Sequence, residues 1–261
     1  MKNGEHSKID LLAGVTKDDG AYFSSMMYSS EKMITDLKDN FERMGPISLL
    51  LPDDVDLATQ IYHHYFGQEM NFPEQADEFT DLMTDRFFKI PHYNVAQDHM
   101  QNVAGSGKRV YLYELRHRGQ QSYLDRIPMP YLADPEVYEK WVCHADDLAY
   151  IFPGTPLFRQ HENEVDQQLT RTVVKLWTNF AATGNPTPDA SLGFIWEAAE
   201  EKRLRQLVLQ QQPYMTDNIQ QQAREFWSSL PLPENIRKHQ HKFASGVEEF
   251  LEEITDTHFE L

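Results

Sequence analysis

The pattern of apolar and polar positions divides the chain into a few strands and many helices. "LLAGVT" (11–16) is a short continuous apolar run that breaks into the polar "KDDGAYF", which predicts a buried strand ending in a loop. In "SSEKMITDLKDNFERMGP" the residues Met33, Ile34, Leu37, Phe41 and Met44 recur at helical spacing. Ser30 is placed to cap that helix and Gly45-Pro46 to stop it. "DDVDLATQIYHHYFG" predicts a second helix, with Val55, Ala58, Ile61, Tyr62, Tyr65 and Phe66 on one face and Gly67 as terminator. "PEQADEFTDLMTDRFFKIP" predicts a third, closed by Pro91. A Gly-Ser-Gly turn (105–107) leads into "KRVYLYEL", whose β-branched and aromatic residues predict a strand.

The strongest periodicity lies in "EVDQQLTRTVVKLWTNFAATGNP". Val165, Leu169, Val173, Leu176, Trp177 and Phe180 form one stripe, and Gly184-Asn185-Pro186 supplies a cap and stop. "RQLVLQ" predicts a last strand and "TDNIQQQAREFWSSL" a last helix, capped by Thr216. Beyond Pro231 and Pro233 the sequence turns polar and then acidic, so the boundaries fall at 1–232 for a folded domain and 233–261 for a tail. Strands alternating with long helices point to an α/β layer fold. With three strands evident, the sheet is expected to be incomplete and the chain to be part of a larger domain.

Composition narrows the functions. A formal net charge of −17 argues against a nucleic-acid partner, which needs a basic face. No apolar run approaches the ~20 residues of a membrane span, and the N-terminal residues lack the apolar core of a signal peptide. Cys143 is the single cysteine, so neither an internal disulfide nor a cysteine-based zinc site can form. Asn185-Pro186-Thr187, the only N-glycosylation triplet in outline, is blocked by its proline.

Candidate chemistry centres on His144, in "KWVCHADDLAYIF". Taken alone, a histidine beside apolar residues is a core histidine, a metal ligand with Asp146 and Asp147, or half of a catalytic pair. No calcium-type ligand pattern surrounds it, and no other histidine stands at ligand spacing. His63-His64 and the His239/His241 pair read as exposed polar positions. Asp18 and Asp19 follow the first strand, where α/β sheets gather active-site groups, although an Asp-Gly turn is the plainer explanation of Asp19-Gly20.

Together these segments carry a resemblance. "GVTKDDGAYF" resembles the acid loop of the type-B carboxylesterase and cholinesterase family. "WVCHADDLAYIFPGTPLF" resembles its histidine loop, and "LTRTVVKLWTNFAATGNP" its helix ending W-x-x-F-A-x-T-G-x-P. "YLYEL", Trp196 with "LVL", and "REFW" follow in the family's order, so the resemblance runs from about Leu11 to Leu230. It implies the C-terminal portion of an α/β-hydrolase fold, helix-rich and with an incomplete central sheet. Along the chain the acid precedes the histidine, as in such hydrolases. His144 is then the general base and Asp19 the acid that orients it, within hydrogen-bond reach at one end of the sheet. Asp147 corresponds to a supporting acid of the loop, and Asp146 is expected to be solvated. Tyr22 and Phe23 are candidates for an apolar wall, or for core packing.

The resemblance also implies a serine on a G-x-S-x-G elbow and oxyanion-hole glycines, and this chain has neither; "AGSGK" around Ser106 lacks the first glycine. The expected function is therefore the acid–base half of a serine esterase acting on a small lipophilic carboxylic ester, with no cofactor and with the N-terminal half of the domain missing. A non-catalytic adhesion or binding module of the same family is the alternative. The family's acid is usually glutamate, so Asp19 is shorter by one C–C bond, about 1.5 Å. The cholinesterases' C-terminal disulfide has no counterpart. The last four residues, His258-Phe259-Glu260-Leu261, resemble an endoplasmic-reticulum retrieval signal and imply a lumenal protein, or otherwise a secreted one.

Overall fold

A computed structural model describes residues 6–243 apart from 52, 135, 202, 218 and 239–241; His239, His241 and the terminal His258–Leu261 lie outside the described residues. The chain divides into two compact units, Met1–Ile219 and Gln220–Leu261.

The first unit is built on a sheet of four strands in the order β1 (Leu11–Thr16), β2 (Val110–Leu115), β3 (Arg205–Leu209) and β4 (Tyr214–Asp217). β1, β2 and β3 run parallel and β4 returns antiparallel. β2 is buried along its whole length, with Leu11 to Thr16 of β1 opposite Val110 to Leu115. β1 is less covered than its apolar run predicts: Leu11 to Gly14 are half-buried, and only Val15 and Thr16 are buried. Its outer edge pairs with no described strand. β4 is an addition to the strands read from sequence, and Thr216, expected to cap a helix, lies within it. Four residues with half-exposed side chains offer no apolar alternation to detect.

Ahead of the second strand come α1 (Ala21–Tyr28), α2 (Glu31–Asp39), α3 (Phe41–Ser48), α4 (Val55–Phe66), α5 (Ala76–Thr84) and α6 (Ile90–Val103). α1 starts inside the segment read as a loop. The predicted helix around Met33 is two helices, broken at Asn40 (φ −126°, ψ 40°), and Gly45-Pro46 does not stop it, because α3 carries Pro46 internally. Ser30 does stand at the N-cap of α2, without a side-chain capping bond. α4 matches its prediction, with Asp54 Oδ1 accepting from the Leu57 amide at 2.8 Å and Gly67 closing the end at φ 77°. These helices share an aromatic core in which Tyr62 meets Phe41, Phe66 and Phe72.

Pro91 does not close a helix either. α5 passes through a π-turn, Asp85–Lys89, directly into α6. Proline has no N–H to donate and its ring crowds the carbonyl four residues back. A locally widened turn tolerates both, so the helix continues.

α7 (Leu148–Ile151) is a single turn, and α8 (Glu164–Thr183) is the long helix the periodicity predicted. Asn163 caps its start by accepting from the Asp166 amide at 2.6 Å, and Gly184 ends it in the left-handed region at φ 70°. Leu169, Val173 and Leu176 are buried against Tyr111, Tyr113 and Leu115, while Val165, the first residue of the predicted stripe, faces out. On the opposite face of the sheet, Tyr93, Ala96, Met100 and Val103 of α6 cover Val110 and Leu112. The sheet thus lies between α6 and α8, and the odd and even residues of β2 serve different layers.

In the second unit, α9 (Gln221–Ser229) and α10 (Pro233–Lys238) are joined by Asn235, whose Nδ2 donates to the Trp227 and Leu230 carbonyls at 2.6 and 2.9 Å. α10 occupies the first residues of the segment read as a tail.

Candidate active site

The parallel strands end side by side, and the loop after β1 turns sharply there. Asp19 Oδ2 accepts from the Thr16 amide at 2.8 Å, so the carboxylate folds back over the end of its own strand. Gly20 is buried behind it, with its amide donating to Thr84 Oγ1 at 2.8 Å. A Cβ at this position would stand 2.3 Å from the Thr84 nitrogen, so only glycine lets the loop lie against α5.

His144 arrives from the other side. Asp18, the neighbouring acid, is the strap between the two loops: its amide donates to the Val142 carbonyl at 3.0 Å, and its Oδ2 accepts from the Val142 amide at 2.9 Å. With the backbones tied there, the shorter aspartate reaches, and His144 Nδ1 lies 3.0 Å from Asp19 Oδ1. A carboxylate only accepts, so Nδ1 carries the proton and Nε2 is left as the basic nitrogen. The Asp19 side chain is 4% exposed and the imidazole 52%, which puts a buried acid behind a base open to the site. The hydrogen bond to Asp19 raises the His144 pKa above the usual histidine value, and its burial only partly opposes this.

Asp146 is not solvated as expected. It is 3% exposed and accepts from the Cys143 amide (Oδ2) and the Tyr123 amide (Oδ1), each at 2.8 Å. It closes the tight turn around the histidine, in which Ala145 takes the left-handed φ of 72°, a strained conformation for a residue with a Cβ. Burial pushes the Asp146 carboxyl up to about 6. Asp147 Oδ2 accepts from Tyr113 Oη at 2.8 Å. Tyr113 in turn lies flat across Gly14, where a Cβ would come within 2.3 Å of its ring. Cys143 is buried and its thiol pKa is raised by burial, so it is no nucleophile. Among the described residues no cluster of three or more His, Cys, Asp or Glu could hold a metal ion.

Two hollows meet at the histidine. One, of about 530 Å³, is lined by Gly14, Asp19, Phe87, Phe88, His92 and Val95 among others; the second, of about 330 Å³, by Tyr22, Phe23, Phe88 and Tyr123. His144, Ala145 and Phe88 border both. The Phe88 ring stands 4.9 Å from the imidazole and Tyr22 meets it edge-on at 6.2 Å. Tyr22 and Phe23 are thus half-buried wall residues. The pattern of the sequence did not single out Phe87, Phe88, His92 or Tyr123. The adjacent aromatics ahead of Pro91 were a signal that the reading of Pro91 as a stop concealed. His92 is held neutral, its pKa lowered to about 4 by burial.

The model of the carboxylesterase family matches residues 1–227. The chain belongs to the carboxylesterase family. Curated relatives include the juvenile hormone esterase of Tribolium castaneum, 28% identical over 74% of this chain and 34% of its own length. The medium-chain fatty acyl-CoA hydrolase precursor of Anas platyrhynchos is 29% identical over 70% of this chain and 30% of its own length. The acetylcholinesterase of Bungarus fasciatus is 24% identical over 87% and 36%. The chain spans about a third of the length of these curated relatives. Carboxylesterases have the α/β-hydrolase fold, and the helix-rich layers around a partial mixed sheet are the form of it present here. Among the described residues no helix is long and apolar enough to cross a membrane.

Proposed function

We propose that this chain supplies the acid and base of a serine carboxylic-ester hydrolase, with the nucleophile and oxyanion-hole donors coming from sequence outside it. One observation carries the reading: a buried Asp19 carboxylate 3.0 Å from the Nδ1 of a half-exposed His144, at the carboxyl ends of parallel strands. His144 Nε2 takes the proton of a serine hydroxyl as its oxygen attacks the ester carbonyl, and returns it to the departing alkoxide. In the second half it takes a proton from water and gives it back to the serine. Asp19 holds the tautomer and stabilises the imidazolium. The aromatic hollows suit a small lipophilic ester, and the relatives named for juvenile hormone and medium-chain fatty acyl-CoA support an apolar substrate. Residues 1–232 are the hydrolase portion on this reading and 233–261 a tail.

The purified chain, given a p-nitrophenyl ester, should show no turnover above buffer. Turnover that His144→Ala abolishes would sink the division of labour. In a longer protein containing these residues and a G-x-S-x-G elbow, His144→Ala should abolish hydrolysis. An elbow with its serine substituted would replace the esterase by the non-catalytic binding module. Retrieval to the endoplasmic reticulum by His258–Leu261 is part of the proposal. Fusing 233–261 to a secreted reporter tests it, and equal secretion with and without the last four residues counts against it.

A further inference from the structure

The π-turn Asp85–Lys89 faces two ways. Phe87 and Phe88 line the hollow beside His144, while Lys89 turns to the sheet. Its side chain is 6% exposed, with Nζ 2.9 Å from Oε1 of Glu114, whose side chain is 1% exposed in the fully buried β2. Arg116 pairs with the other carboxylate oxygen, Gln206 Nε2 approaches it at 3.4 Å, and Gln206 Oε1 accepts from Tyr93 Oη of α6 at 2.9 Å. At the start of the turn, Tyr65 Oη donates to Asp85 at 2.7 Å. Two buried charges cost desolvation that an apolar pair would avoid, and the best-attested return for such pairs is a unique register. Here register matters. Removing the extra residue of the π-turn would rotate the flanking segments relative to one another by about 100° and swing the phenylalanines away from His144. Pro91 tolerates a widened turn but does not select which side chains face the sheet.

We propose that the Lys89–Glu114 ion pair is a positioning device that holds the π-turn in the register presenting Phe87 and Phe88 to His144, and so sets which apolar ester groups fit. The selectivity half rests on the esterase reading; the positioning half does not. Lys89→Met/Glu114→Gln removes both charges at nearly constant volume and leaves Arg116, 39% exposed, free to turn to water. In the folded chain the imidazole proton resonances of His144 report the Phe88 ring current. They should move in the double variant toward their positions in Phe88→Leu, and return toward wild type in Lys89→Arg. In an active longer protein, the ratio of kcat/KM for long over short acyl p-nitrophenyl esters should change about tenfold, the change falling on KM. Should the double variant not fold, Lys89→Met alone decides, since Glu114 keeps Arg116 and Gln206. A folded variant of either kind with unmoved His144 resonances overturns the proposal. So does moved resonance with an unchanged ester ratio, as far as selectivity goes. Moved resonances in a longer protein that hydrolyses no ester even as wild type would refute the esterase reading and keep the positioning role.

Discussion

At the scale of the residue, the site depends on acids with different tasks. Asp19 bonds the imidazole, Asp18 ties the two loops, Asp146 closes the turn and Asp147 anchors to Tyr113. All four are buried or half-buried, yet only Asp19 touches His144. Asp19→Asn should lower kcat of an active longer protein about 10⁴-fold, because the amide no longer selects the Nδ1–H tautomer. The pH dependence follows from the raised His144 pKa. The base must be neutral, so activity should rise with pH through a midpoint above the usual histidine value, and Asp19→Asn should bring the midpoint down. For stability the sign is opposite. The imidazolium–carboxylate pair contributes fully below the free histidine pKa, and its contribution fades as pH rises through the raised one. A pH–rate profile and denaturant titrations across that window measure both. Gly14→Ala is a second test at this scale. With 2.3 Å between the new Cβ and the Tyr113 ring, the ring must shift and release Asp147, at a cost of about 1–3 kcal/mol. An unchanged melting temperature would show that the ring moves freely.

The elements with the clearest sequence signatures are those whose ends and faces are set by nearest neighbours. α4 and α8 begin and end at their capping residues, and their buried residues fall at the expected spacing. In Asn163→Ala the lost cap by itself costs about 1 kcal/mol. The effect should exceed that of a simple cap, because Asn163 Nδ2 also donates to Asp166 at 2.7 Å. Thermal unfolding checks it, and a loss smaller than an ordinary cap would mean that water replaces both bonds. The elements misread from sequence share another property, which is that a longer-range contact overrides a local stop signal. Pro46 and Pro91 both lie on through-going helical paths. α1 begins in a loop-like stretch because Gly20 and Ser24 are held by Thr84 and Thr80 of α5. Propensity is a weak prior against such contacts.

On the scale of the whole molecule, the parallel sheet buries β2 and β3 on both faces but leaves the outer edge of β1 without a described partner. Leu11 and Lys17 donate inward, to the Arg109 and Leu115 carbonyls, so the alternate amides of Leu12 and Gly14 point along the open edge. In hydrogen exchange on this chain those two amides should exchange far faster than amides within β2, which are enclosed by both neighbours. Equal protection would mean that another copy or segment pairs with the edge.

By itself the sequence determined what is local and repetitive: the strand–helix alternation, the capped helices, the acid after a strand and the histidine loop whose combination resembles an esterase. The alternation and the caps follow from side-chain periodicity and backbone preference within a few residues of chain, and the two loops from their resemblance to those of the family. Only the tertiary structure decided that Asp18, beside the Asp19 that the resemblance assigns to His144, ties the two loops. It also decided that Asp146 is an internal anchor and that a phenylalanine pair before a proline lines the site. Those outcomes depend on burial and on pairing across the sheet, where a carboxylate's role is set by which N–H groups the fold brings to it.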